Sequence, residues 1–436
     1  MIHIHRPVHA TLRAGVLGAA LAAACGLAHA APGASPATPV AQYWMDIATF
    51  NMMGMDEMPE MPEMAGMGGG MLSGMMNRNS RTGRDGRHAK GVGNFGETRG
   101  GGIGRRVDIA LYTRDNSAGT SALQQVPAGA DLGAAPLHLI TPPRESVQAG
   151  GDTVELPERP RGRILFYWGC SADIKAGQPR ILDMSKLSAQ DYAGFMQGRH
   201  VADRGARAEA GHAIWPNERE NSHITRRASL VGEHTVSGDG VPAGLSFRID
   251  ERHDFMPSLK VDSAGDLAAS IRVHWQPVDT ARAYLLTAMS GGMDGNNAPE
   301  MVIWSSSEPP ESGFGLLDYI SNANIDKWLK ERVLLAPSQT ECAIPKGIFA
   351  NSQGAMLQAI AYGDELNLVH PPRPADPKAA WKPEWSVRVR NKSVAMNMLG
   401  QENVEMPAQH GRRQRDDDSQ GERPSAKTLL KGLFGH

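Results

Sequence analysis

Between positions 107 and 389 the chain keeps alternating apolar and polar residues over short runs that stop at glycine or proline. A period of two belongs to strands with one buried face, so this pattern constrains the fold more than any other feature. Val107-Asp108-Ile109-Ala110-Leu111-Tyr112 alternates in this way, and Leu137-His138-Leu139-Ile140 ends at Pro142-Pro143. Ile164-Leu165-Phe166-Tyr167-Trp168 is a continuous apolar run, which predicts a strand covered on both faces. Residues 180–184 read as another strand. Ser188, with Asp191 at the N3 position, predicts a helix running toward Gly198. Strand patterns then recur at 229–236, 245–249, 258–261 and 270–275, and a last one opens at 385–389. The expected fold class is mainly β.

The two ends of the chain read differently. Arg6 and Arg13 precede an apolar run over 14–27, and Ala28-His29-Ala30 follows it. Charge, a short apolar core and a small-residue site in that order predict a secretory signal peptide over 1–30, too short to anchor in a membrane. The expected compartment is the periplasm. Cys25, after Leu21-Ala22-Ala23-Ala24, offers lipid anchoring as an alternative, and secretion is another. Residues 31–105 are rich in Met and Gly, and the expectation is a disordered arm with little to bury. Inside it, Gly91-Val92-Gly93-Asn94-Phe95-Gly96 has the glycine spacing of a nucleotide loop. Polar Arg-Gly sequence flanks it where a strand and a helix are required, so it reads as linker. The remaining expected divisions are a β-dominated domain over 106–235, a second domain over 236–400, and a charged disordered tail over 401–436.

The second domain carries a resemblance. In Ile271-Arg272-Val273-His274-Trp275-Gln276-Pro277, a Trp is followed by Pro, then by a short turn through Val278-Asp279-Thr280-Ala281-Arg282. Ala283-Tyr284-Leu285-Leu286-Thr287-Ala288 opens the next strand. This resembles the B–C strand pair of a fibronectin type III module, and Met356-Leu357-Gln358-Ala359-Ile360-Ala361-Tyr362-Gly363 resembles its F strand. The resemblance covers 260–372 and implies a β-sandwich, a fold that prescribes no chemistry. Between 313 and 335 the chain departs from it. Leu316, Leu317, Ile320, Ile325, Trp328 and Leu329 have helix-like spacing there, which predicts a helical insertion.

A formal net charge of −2 supplies no field for nucleic acid, and no segment after the signal is long and apolar enough to span a membrane. His212, His223 and His234 recur every eleven residues in unlike surroundings, so a shared metal is not expected. Asp250-Glu251-Arg252-His253-Asp254 gathers an acid, a base and a cation, and reads as a charged turn. Trp381 and Trp385 stand near prolines and read as core edges before they read as sugar platforms.

The unusual tract is methionine. Met52, Met55, Met58, Met61, Met64 and Met67 recur every third residue. Thioethers are soft neutral donors that suit Cu(I) or Ag(I). In polyproline II these sulfurs would lie on one edge about 9 Å apart, too far to share an ion unless the chain folds back. Docking on an envelope protein or a second copy, and a tether without a specific role, are the competing uses. Cys170 and Cys342, the two cysteines beyond the signal, are expected to pair in an oxidising compartment. The expected function is therefore an exported binding or structural protein without catalytic activity and without a resident cofactor. Soft-metal binding through the Met arm is the first alternative, and a hydrolase with a dispersed site is the second.

Overall fold

The computed structural model describes residues 38–52, 93–100, 103–116, 121–142, 162–186, 198–295, 297–376 and 378–400. Strands dominate them. β1 (Ala41–Met52) is followed by the short helix α1 (Glu97–Gly100) and then β2 (Gly104–Thr113), β3 (Ala122–Gln125) and β4 (Leu137–Leu139). Next come β5 (Arg163–Trp168), β6 (Arg180–Asp183), β7 (His212–Trp215), β8 (Gly232–Gly238) and β9 (Ser246–Ile249). β10 (Val261–Ala264), β11 (Ile271–Trp275), β12 (Ala283–Met293) and β13 (Pro299–Ser305) lead into the helix α2 (Asn322–Lys330). β14 (Glu341–Ile344), β15 (Ala355–His370) and β16 (Trp385–Leu399) complete the described chain.

Among the described residues these strands form one nine-stranded sheet in the order β6-β5-β13-β12-β15-β16-β1-β2-β7. Two small sheets, β10-β11-β14 and β4-β3-β8-β9, lie on the same face of it. Alternation explains how one strand serves both. The odd residues of β16 bury Val387 and Val389 against β8 and β9 at one end, and Ala395 and Leu399 against β11 at the other. β15 and β16 have 16 and 15 residues, so at about 3.3 Å per residue they run beneath both small sheets. A bulge between Tyr362 and Glu365 shifts the register of β15 midway. Gly363 sits in that bulge, where a Cβ would run into the side-chain oxygen of Asn391. Asn391 in turn donates to the carbonyls of Arg252 and Asp254, 2.8 Å each, at the seam between the small sheets.

The opposite face of the large sheet is covered piecemeal. Ile325 and Trp328 of α2 pack with Leu285, Ile360, Tyr362 and Val394. Cys170 and Cys342 are bridged, joining the chain after β5 to β14 across a sequence separation of 172 residues. In the chain-entropy account, a loop of that size stabilises the fold by about 5 kcal/mol.

Two expected divisions need correction. Residues 31–105 are not wholly outside the fold, because β1 and α1 both fall inside that span. β1 lies in the interior of the large sheet, parallel to β16 and antiparallel to β2. The physical reason is legible afterwards: Tyr43, Met45 and Ile47 alternate into the core, each at most 1 % exposed. The expected boundary at 235/236 is not a boundary either, since β5 pairs with β13 and β2 reaches β16 through β1. The expected signal segment 1–30, the helix expected after Ser188 up to residue 197, and the expected tail 401–436 lie outside the described residues. Among the described residues no helix is long and apolar enough to cross a membrane.

Candidate functional site

The densest gathering of charge is buried where β1, β2 and β16 present their even residues to the covered face of the large sheet. Arg388, Arg390 and Lys392 stand at every second position of β16, alternating with Val387, Val389 and Asn391, so all three point to one side. The parallel register sets Asp46 of β1 beside Arg390. The antiparallel register sets the same Asp46 beside Asp108 of β2. Two carboxylates opposed in a buried sheet repel, and the neighbouring groups compensate.

Arg390 grips Asp46 with both arms of its guanidinium, Nε to Oδ1 and Nη2 to Oδ2, each at 2.7 Å. Such a fork-to-fork pair is strong and directional. The Ala206 amide donates to Asp46 Oδ2 at 3.1 Å, and Arg99 of α1 approaches the same oxygen at 3.4 Å. Arg99 also binds Asp203 at 2.9 Å and lies 3.6 Å from Asp318. Lys392 Nζ donates to the Leu317 carbonyl at 3.1 Å and stands 4.0 Å from Asp318. The Tyr319 ring lies between two cations, with Arg390 Cζ and Lys392 Nζ each 4.5 Å from its centroid. Gly205 passes so close that a Cβ there would run into the Arg390 guanidinium and the Asp46 carboxylate.

Burial and charge pull these groups in opposite directions. Burial alone would drive the Arg390 proton off, but the charge and hydrogen bonds of Asp46, with Asp318 beyond, hold its pKa above the ordinary arginine value. Asp318 is pushed up by burial and pulled below the usual carboxylate range by Arg99, Lys392 and Arg390. Lys392 is lowered to about 8, because burial and the Arg99 and Arg390 charges outweigh Asp318.

Asp108 is raised to about 7: burial and the Asp46 charge outweigh hydrogen bonds from Thr98 and from the Gly96 amide at 2.8 Å. The turn before α1 aims the Gly96 amide at this internal carboxylate, and α1 follows with the Thr98 amide and hydroxyl donating to the same group. Glu97 completes the attachment by pairing with Arg106 of β2 at 2.6 Å.

A stability effect follows from Asp108. Its folded pKa lies above the ordinary aspartate value, so the folded state holds the proton where the unfolded chain has lost it. Stability from this group is present at low pH and is lost as pH rises toward about 7. Urea unfolding between about pH 4.5 and 7.5 should show Asp108→Asn sparing the protein about 3 kcal/mol of that decline. Parallel pH curves for the two proteins would contradict the assignment.

No family model, curated protein or solved structure matches the chain. What the site does must therefore come from its own geometry.

The residues singled out in the sequence are dispersed. Met52 ends β1, half-buried against the α2 side of the sheet, and Met55, Met58, Met61, Met64 and Met67 lie outside the described residues. His212 packs at a tilt against Trp44 and Tyr112, with ring centroids 5.5 and 5.3 Å away. His234 lies flat against Phe247 and bonds the Leu230 carbonyl at 2.7 Å. Among the described residues no group of three or more His, Cys, Asp or Glu is placed to hold a metal ion. His253 binds Asp250 at 2.6 Å within its own turn, while Asp254 of that turn accepts from Ser229 and the Leu230 amide. Trp385 is 7 % exposed and stacks on His370, and Trp381 donates to the Pro371 carbonyl.

Asp46, Asp108, Asp318, Arg99, Arg390 and Lys392 were not singled out from the sequence. The one available signal was the row Arg388-Val389-Arg390-Asn391-Lys392, where cations alternate with residues facing a core.

Proposed function

We propose that this chain is an exported, periplasmic binding or structural protein that carries out no catalysis. The observation that supports this best is the burial of the ion pair at the centre of the charged cluster. Asp46 is 1 % and Arg390 3 % exposed, and each meets the other rather than solvent. A general acid or base has to reach its substrate, whereas a clamp has only to reach its partner. The bridge between Cys170 and Cys342 suits an oxidising compartment, as does the leader-like order of Arg6, Arg13, the apolar run and Ala28-His29-Ala30. In this reading the partner is another envelope protein or a second copy of the chain.

The finer fold reading is a fibronectin type III-like sandwich in the second domain, 236–400, carried by the resemblance over 260–372. Its support is the order β10-β11-β14 facing β13-β12-β15-β16, with α2 inserted between β13 and β14. Trp275 and Tyr284, the pair that carries the resemblance, pack in that core with ring centroids 5.5 Å apart. On this reading β1 extends the four-stranded side past its last strand and links the sandwich to the second small sheet.

Export is tested by the mass of the chain recovered from the periplasm of a bacterial host. The expected amino terminus is Ala31. An acylated Cys25 would move the protein to a lipid anchor, and a chain retaining residues 1–30 in the cytoplasm would overturn the reading.

A further inference from the structure

The covered face of the large sheet carries a second concentration of one residue type, at the opposite end from the charged cluster. Met398 of β16 stands directly across from Met356 of β15, and Met356 stands directly across from Met289 of β12. The three methionines thus form a straight row over three adjacent strands. Alternation places them on the same side: their neighbours Leu399, Ala355, Leu357 and Ala288 are buried in the core on the other face. All three are half-buried rather than sealed. The Met398 methyl leans toward β15, where it lies over Gly354.

The row has company and room. Met396, two residues before Met398 on the same face, is paired in register with Met52 at the end of β1. Met301 of β13 lies on the same face, and the position opposite it is Gly291, where a Cβ would meet nothing within 4 Å. A core built only for packing has no need to align thioethers strand by strand beside an open position.

We propose that Met289, Met356 and Met398 form a thioether site for a soft monovalent cation, Cu(I) or Ag(I). Spacing is what separates these residues from the Met-rich segment after β1. Opposed side chains on neighbouring strands begin about 5 Å apart, against about 9 Å for successive methionines along a polyproline II edge. With metal–sulfur bonds of about 2.3 Å, the two outer thioethers need only lean inward by about 3 Å to meet the central one. Methionine has the rotatable bonds to do so. Three neutral sulfurs favour a soft singly charged ion over a hard divalent one. The strands supply a preformed row, and the Met-rich segment is left to deliver or retain further ions. This inference goes beyond the scaffold reading and does not depend on it.

The test uses Ag(I), which mimics Cu(I) without redox chemistry, and the full chain under non-reducing conditions. Replacing Met55, Met58, Met61, Met64 and Met67 by Leu should leave one tightly held Ag(I) per chain. Adding the triple change Met289→Leu, Met356→Leu and Met398→Leu to that variant should remove the ion and leave the circular dichroism unchanged, since Leu keeps the bulk and lacks the donor. Retention of the ion by the triple variant, or its loss from the first variant, overturns the proposal. If the triple variant fails to fold, methionine-methyl NMR of the unaltered chain decides. Shifts on Ag(I) addition at Met289, Met356 and Met398 support the site, and shifts confined to other methionines overturn it.

Discussion

A chain beginning at Arg105 is expected not to reach the folded state. Such a chain lacks β1, whose 12 residues separate β2 from β16 in the interior of the large sheet. It loses the buried side chains of Tyr43, Met45, Ile47 and Phe50, each of which contributes on the order of 2–5 kcal/mol. Their sum is comparable to the about 5–15 kcal/mol that holds a typical domain together. It also removes α1, which brings Arg99 and Thr98 to the charged cluster. Refolded material should give no cooperative urea transition and should elute as an expanded or aggregated species. A cooperative transition with the midpoint of the full chain would show that β1 is dispensable.

β1 also shows what the sequence hides. Its alternation is intact over Tyr43, Met45 and Ile47, but Asp46 interrupts the polar-out pattern with a buried charge, and the strand runs straight into the methionine tract. Composition over that span reports the tract and masks the strand. The short strands β2, β4, β5, β6, β8, β9 and β11 were legible as runs that end at a turn, whereas β3 and β7 are too short to carry a pattern and the run at 258–261 reaches only the first residue of β10. β16 was legible only as far as Val389. Beyond it, Arg390 and Lys392 resemble solvated surface until their partners on β1 and on the segment before α2 are known. A cluster assembled from residues 46, 99, 108, 318, 390 and 392 has no local spacing to betray it. Only the sheet order brings them together. The methionine row on β12, β15 and β16 is hidden for the same reason, since its members stand far apart in the chain.

The second large effect is expected at the centre of the clamp. Asp46→Ala leaves the Arg390 guanidinium, 3 % exposed, without its carboxylate, and should cost about 3–5 kcal/mol. Arg390→Met should cost less. Asp46 would still accept from the Ala206 amide and lie near Arg99, whereas Arg390 keeps only the Tyr319 ring and the more distant charge of Asp318 when Asp46 is gone. Asp46→Leu and Arg390→Met together remove both charges and keep apolar bulk in the gap, an exchange that buried ion pairs elsewhere tolerate well.

The central claim is that Asp46 and Arg390 form a buried structural clamp at the heart of this cluster, and the double-mutant cycle on the two tests it most directly. Equilibrium urea unfolding of the unaltered chain, Asp46→Leu, Arg390→Met and the double variant gives the coupling energy. The account predicts that the double variant is more stable than Asp46→Leu alone, with a coupling of about 2 kcal/mol or more. Losses that add to within about 0.5 kcal/mol would show that the two side chains do not hold one another, and would contradict the clamp.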